Sequence, residues 1–141
     1  IAKFVSELIE IKEINYSPEQ SLKEQLEKFA DVKIAISSNP KWLGIMKVSI
    51  GVFVAHPKLA KETMEKVSAL ESPLINWIEA AKADGKLAVD SAELAASVFS
   101  SLLSGSFFWP SVIHGQLPEA EVSVMKNEII EVFLAKYLAK E

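Results

Sequence analysis

Histidine and serine side chains are the groups in this sequence that could bind a metal or act as a nucleophile. Their spacing argues against both roles. His56 and His114 are the two histidines, and no His-x-x-x-His or Cys-x-x-Cys spacing is present, so we predict no metal site. Ser104-Gly105-Ser106 resembles half of a nucleophile elbow but lies in a helix-like run. No glycine-rich loop precedes a Lys-Ser or Lys-Thr pair, as a phosphate site would require. We therefore expect neither enzyme activity nor a cofactor.

A small-molecule pocket is the second kind of site that the residue types suggest, because such pockets combine apolar and aromatic walls with a few polar groups. Seven candidate ligand-binding residues meet this description: Trp42, Met46, Ser49, Phe53, Trp77, Phe99 and Leu103. Ser49 is the most informative, since it interrupts an apolar helix face. It could instead bond back to a helix carbonyl, and aromatics at helical spacing usually belong to the core.

Composition limits the class of protein further. The chain has 141 residues, of which 50% are hydrophobic and 24% charged, which suits one domain with a substantial core. The net charge is −4 and the basic residues are all lysines, so the arginine forks that recognise guanine or phosphate are missing. We therefore expect that this chain does not bind DNA by itself. The lack of cysteine fits a reducing cytoplasm, and we expect no membrane span, because no apolar run approaches about 20 residues.

Prolines and capping residues mark the helices that would position these side chains. Ser17-Pro18-Glu19-Gln20 combines a serine cap with a proline at the first helical position, which predicts a helix over about 18–36. Asn39-Pro40 opens the next helix, and His56-Pro57 interrupts it, because a residue before proline is pushed out of helical geometry. Pro57 then starts a short helix.

The second half of the chain is marked in the same way. A helix that begins near Ser72-Pro73 should end at Asp84-Gly85, with glycine in the left-handed position. Asp90-Ser91-Ala92-Glu93 is a capping-box pattern that opens a long apolar helix over 91–109, terminated by Pro110. The last helix is predicted over 119–139.

We also predict a helix over 2–13, on which Phe4, Leu8 and Ile11 share one face. No convincing period-two alternation is present. The fold class expected is therefore all-α, a bundle of about six to seven helices.

The helices at 91–109 and 119–139 carry more apolar surface than one small core can bury, since each has two apolar stripes. Either they lie centrally within the monomer, or one stripe packs on a partner. We favour a symmetric homodimer in which the last two helices of each subunit form a four-helix bundle. The predicted dimer interface comprises Leu102, Phe107, Phe108, Trp109, Met125, Ile129, Ile130, Phe133, Leu134 and Tyr137.

The order of the segments resembles a known family. Asn39-Pro40-Lys41-Trp42 is followed by His56-Pro57-Lys58-Leu59-Ala60, then by Ser72-Pro73-Leu74-Ile75-Asn76-Trp77-Ile78, Ala83-Asp84-Gly85-Lys86-Leu87 and Asp90-Ser91-Ala92-Glu93-Leu94-Ala95-Ala96. This run is similar to the C-terminal regulatory domain of TetR-family transcription regulators, where a Pro-x-Leu-Ala helix, an Asp-Gly-x-Leu turn and an Asp-x-x-Glu-Leu-Ala-Ala helix start recur. The resemblance covers residues 39–110, and the last helix agrees in character.

The resemblance implies a repressor, or less often an activator, with a small-molecule pocket inside the bundle and a dimer made by the last two helices. Its basic helix-turn-helix would precede Ile1, so residues 1–141 are expected to be a single ligand-sensing and dimerisation domain that meets DNA only through that missing head. The net negative charge and the lack of arginine favour a neutral, cationic or apolar effector. It would enter between the helices at 40–55, 73–83 and 91–109, and the helix at 2–13 would transmit the change.

Two other classes stay open at this stage. A stand-alone helical module that binds a lipid or another protein would use the same apolar surfaces without a DNA-binding domain. An all-helical enzyme would need a polar cluster in the bundle, and the sequence does not reveal one.

Overall fold

Six α-helices make up the part of the chain that the computed structural model describes, residues 14–68 and 71–140. They are α1 (Leu22–Ser37), α2 (Pro40–Ala55), α3 (Pro57–Ser68), α4 (Ser72–Ala83), α5 (Ala92–His114) and α6 (Glu119–Tyr137). A single isolated bridge joins Leu87 to Leu138 within these ranges. The all-α prediction is confirmed, whereas the helix predicted over 2–13 lies outside the described residues.

Most of the predicted helix boundaries are confirmed by their capping interactions. The Asn39 side chain accepts a hydrogen bond from the N–H of Lys41 at 2.9 Å at the start of α2. Ser91 does the same for the N–H of Leu94 at 3.1 Å and so opens α5. After α4, Gly85 adopts a φ of 75°, the left-handed conformation in which glycine ends a helix without strain.

The predicted start of α1 is wrong by one turn. The helix begins at Leu22, capped by Ser21, and Pro18 lies in a turn before it. The cause is the buried side chain of Gln25, which accepts from the N–H of Ser17 at 2.7 Å and donates to the carbonyl of Ser17 at 2.9 Å. Because these bonds hold Ser17 against the first turn of α1, the intervening residues fold back as a turn.

The predicted end of α5 is also wrong, since the helix continues through Pro110 to His114. A π-helical turn at Ser104–Phe108 precedes the proline, and the N–H of Trp109 donates to the carbonyl of Ser104. In a regular α-helix Pro110 would leave one carbonyl without a donor and collide with it. The wider turn accommodates the proline ring, as such insertions do elsewhere.

The core lies between α1, α4, α5 and α6. Its largest fully buried side chains are Trp77, Phe29, Phe99, Phe133, Leu26, Leu74, Ile78 and Ile130. Phe99 of α5 and Phe133 of α6 meet edge to face, with ring centroids 5.3 Å apart, an arrangement that aromatic pairs favour. α2 buries none of its residues fully, so α2 and α3 lie outside this four-helix core.

Among the described helices, α5 alone is long and apolar enough to cross a membrane, contrary to the expectation from the sequence. It has 23 residues, and an 18-residue window of it has a mean hydropathy of 1.3. Length and composition do not separate a membrane span from the central helix of a soluble protein. Here Ala95, Phe99 and Leu103 are packed into the core, as expected for a central helix.

Candidate functional site

The seven predicted ligand-binding residues fall into two groups. Trp77, Phe99 and Leu103 are buried in the core, where their side chains are already packed. Trp42, Met46, Ser49 and Phe53 are half-buried on one side of α2. The Ser49 hydroxyl donates to the carbonyl of Ile45 at 2.8 Å, which is the local bond that was the alternative for this residue.

A polar cluster that the sequence does not reveal joins three separate elements. The ammonium of Lys33 donates to Glu71 and to the Ser100 hydroxyl, each at 2.7 Å, and that hydroxyl donates to Glu71 at 2.6 Å. The three groups satisfy one another in a closed ring. This arrangement connects α1, the start of α4 and α5.

A cavity lies between α4 and the N-terminal strap, by which we mean residues 14–21. Its volume is about 660 Å³, within the range of small-molecule sites. The lining residues are Ile14, Asn15, Tyr16, Pro18, Ser72, Pro73, Asn76, Trp77 and Ala80. Trp77 is the one of the seven predicted ligand-binding residues that lines this cavity.

Polar contacts at Tyr16, Ser17 and Pro18 hold the strap in place. The Tyr16 hydroxyl donates to Asp84 at 2.5 Å, and Lys86 donates to the carbonyl of Pro18. Burial and the hydrogen bond to Asp84 raise the pKa of Tyr16. The hydrogen bond from Tyr16 and the positive charge of Lys86 lower the pKa of the Asp84 carboxyl. Gln25 bonds to Ser17, as described above.

The ten residues of the predicted dimer interface are distributed between core and surface. Phe107, Ile129, Ile130 and Phe133 are buried in the core of this chain, so they have little surface left for a partner. Leu102, Phe108, Leu134 and Tyr137 are half-buried. Trp109 and Met125 are exposed. On α5 the stripe of Ala95, Phe99 and Leu103 faces inward, whereas on α6 both predicted stripes contribute buried residues.

The outward side of α5 carries a continuous stripe without any charged residue. We call it the α5 stripe, and its exposed members are Leu94, Ser97, Val98, Ser101, Ser104, Gly105, Trp109 and Ile113. The exposed fractions of Leu94 and Val98 are 62% and 38%. A Cβ added at Gly105 would meet nothing within 4 Å, so the middle of the stripe is open enough for close approach of another helix. On α6, Val124, Met125 and Val132 are exposed as well.

Comparison with protein families shows to which family this chain belongs. Residues 24–139 match the family model described as "AefR-like transcriptional repressor, C-terminal domain". The chain belongs to the TetR family.

Solved structures agree with this assignment to the TetR family. A TetR-family transcriptional regulator from Pseudomonas syringae pv. tomato str. DC3000 is 28% identical and has a TM-score of 0.78, and the match covers 99% of this chain and 72% of that one. A protein from Mesorhizobium loti MAFF303099 assigned to the same family is 18% identical with a TM-score of 0.83, over 98% and 71% of the two chains. No curated protein matches the chain significantly.

Membership of the TetR family bears on the nature of α5 and on enzyme activity. TetR-family regulators are soluble, so α5 is understood as the central helix of a soluble TetR domain. They are also not usually enzymes.

Proposed function

We propose that this domain is the effector-binding and dimerising part of a cytoplasmic repressor, in which a helix-turn-helix domain that precedes residue 1 contacts the DNA. The family model supports the repressor role, because its description is that of the C-terminal domain of a repressor. The two solved relatives support the additional domain, since this chain matches only 72% and 71% of their lengths.

The observation that carries the proposal is the α5 stripe. Between Glu93 and His114 the helix has no charged residue, yet Leu94, Val98 and Trp109 are exposed. A soluble protein rarely leaves such a surface open to water. A second copy of the same stripe, related by a twofold axis, would cover it and would place two DNA-binding heads on one assembly.

The effector is a small molecule that is neutral, cationic or apolar, in keeping with the net charge of −4. Trp42, Met46 and Phe53 are the ligand-binding candidates whose side chains remain accessible, because they are half-buried on a helix that buries none of its residues fully. Phe99 and Leu103 are part of the core. The effector acts by binding one spacing of the two subunits better than another.

The test uses the full polypeptide encoded by the gene of this domain, with Val98→Glu and, as a matched control, Val54→Glu. Val54 is 79% exposed on α2, away from the α5 stripe. DNA sites are selected from a random duplex library and binding is measured by gel shift. We expect the parent protein and the control to select sites with two half-sites about one helical turn apart, and Val98→Glu to lose this binding. If the full polypeptide without substitutions binds no DNA in the gel shift, the stand-alone binding module is supported instead.

A further inference from the structure

The residues that line the cavity between α4 and the strap suit a flat, uncharged ligand. None of the described residues that line it carries a charge, so an ion would find no partner among them to replace its hydration. Two aromatic side chains contribute to its wall, Tyr16 and Trp77, with ring centroids 6.0 Å apart and planes tilted by 60°. Such walls favour flat apolar molecules, which bury their faces against the rings.

One polar group in the wall is available to orient a ligand. The amide of Asn76 is exposed and no described residue hydrogen-bonds it. An amide both donates and accepts, so it suits a hydroxyl or a carbonyl on the rim of a flat ligand. The indole N–H of Trp77 is already used by Gln25, so it does not orient a ligand.

The strap forms part of the cavity wall, so a bound ligand would contact the strap directly. Ile14, Tyr16 and Pro18 form one wall, and α4 forms the other. The strap is held by Tyr16 with Asp84 and by Ser17 with Gln25, among other contacts. A molecule between strap and helix would add contacts to both walls, and would therefore stabilise the position of the strap against α4.

We propose that this cavity binds a small, uncharged, planar aromatic molecule bearing one hydroxyl or carbonyl group, and that its occupancy holds the strap against α4. The regulatory consequence rests on the proposed function, because only there does the chain before residue 14 lead to a DNA-binding head. The binding itself does not depend on it.

The experiment titrates the ¹⁵N-labelled chain with 1-naphthol and, separately, with the charged analogue 1-naphthoate. Trp42→Phe and Trp109→Phe variants assign the Trp77 indole signal, since the chain has three tryptophans. We expect 1-naphthol to shift the Trp77 indole and the Asn76 side-chain amide with saturation, and to slow hydrogen exchange at the N–H of Ser17. We expect 1-naphthoate to bind at least about tenfold more weakly, because its charge has no partner in the cavity.

A pair of matched substitutions tests the location. Ala80 lines the cavity and Ala35 is exposed on α1. Ala80→Phe fills the space and should weaken 1-naphthol binding at least about tenfold, whereas Ala35→Phe should leave it unchanged. If circular dichroism shows that Ala80→Phe does not fold, Asn76→Leu decides: the lost hydrogen bond should weaken binding about five- to tenfold.

Equal affinity in the cavity variants, or shifts confined to other residues, would overturn the proposal. If the protein is a dimer that controls DNA binding but does not bind 1-naphthol, this inference is wrong and the proposed function still holds. If the protein is a monomer that binds 1-naphthol beside Asn76, the proposed function is wrong and this inference still holds.

Discussion

The indole Nε1 of Trp77 donates a hydrogen bond to Oε1 of Gln25 at 3.0 Å, and the two side chains are only 2% and 1% exposed. The same Gln25 oxygen accepts from the N–H of Ser17, and the amide nitrogen donates to three backbone carbonyls that include that of Ser17. One buried amide thus connects α1, α4 and the strap. Buried polar groups of this kind are costly to leave unpaired.

Gln25→Leu should destabilise the domain by about 2 to 4 kcal/mol, because it leaves the Trp77 indole and the Ser17 backbone without partners in a dry environment. Urea unfolding followed by circular dichroism measures the change. Gln20→Leu is the control, since Gln20 is exposed and contributes its backbone carbonyl rather than its side chain to the same network. Its cost should stay within about 0.5 kcal/mol. A Gln25→Leu variant as stable as this control would contradict the role of the network.

The Asp84 carboxyl should make the free energy of unfolding fall as the solution becomes acidic. Its pKa in the folded chain is lowered, by the hydrogen bond from Tyr16 and by the charge of Lys86. The stabilisation is therefore present above the unfolded pKa of about 3.9 and is lost as the pH falls through the lower folded pKa. Asp84 and Lys86 are more than a third exposed, so water screens the effect and it should be small.

Unfolding free energies of the wild type, Asp84→Asn and Glu65→Gln between about pH 5 and 3 test this. The wild type should lose more stability over that range than Asp84→Asn, whereas Glu65→Gln, on the exposed surface of α3, should follow the wild type. Parallel curves for the wild type and Asp84→Asn would show that the Tyr16–Asp84 contact does not form in solution.

The α5 stripe should place identical residues of two subunits close together, since a twofold axis brings a surface against its own copy. The chain has no cysteine, so single Ser97→Cys, Ser101→Cys and Ser104→Cys variants report on self-contact alone. A disulfide requires Cα atoms within about 7 Å, so we expect rapid cross-linking at the position nearest the axis. The control is Ala35→Cys, exposed on α1. Cross-linking no faster than in this control at all three positions would exclude the α5 stripe as the contact.

Helix boundaries could be predicted where the determining chemistry is local. Asn39 before Pro40 and Gly85 after α4 act on their own turns, and the structure confirms both. The start of α1 could not be predicted, because it depends on Gln25 reaching eight residues back to Ser17. The passage of α5 through Pro110 depends on a π turn, for which the sequence offers no recognisable signal.

The candidate site was harder to predict than the fold. Periodicity shows that α6 has two apolar faces but not how far each is buried, and the structure buries Phe133 from one face and Ile130 from the other. The ring of Lys33, Glu71 and Ser100 joins residues 38 and 67 positions apart. The cavity needs the strap to fold back on α4, and that arrangement depends on Tyr16 meeting Asp84 across 68 positions. Such contacts follow from tertiary packing and leave no local pattern.

The central claim is that two copies of this chain associate through the α5 stripe, and molecular mass in solution tests it most directly. Light scattering is recorded across a dilution series for the wild type, Val98→Glu and the control Val54→Glu. We expect twice the mass of one chain for the wild type and the control, and the mass of a single chain for Val98→Glu, because a carboxylate on the stripe would be buried without a partner in the dimer. A wild type with the mass of one chain at every concentration would contradict the account.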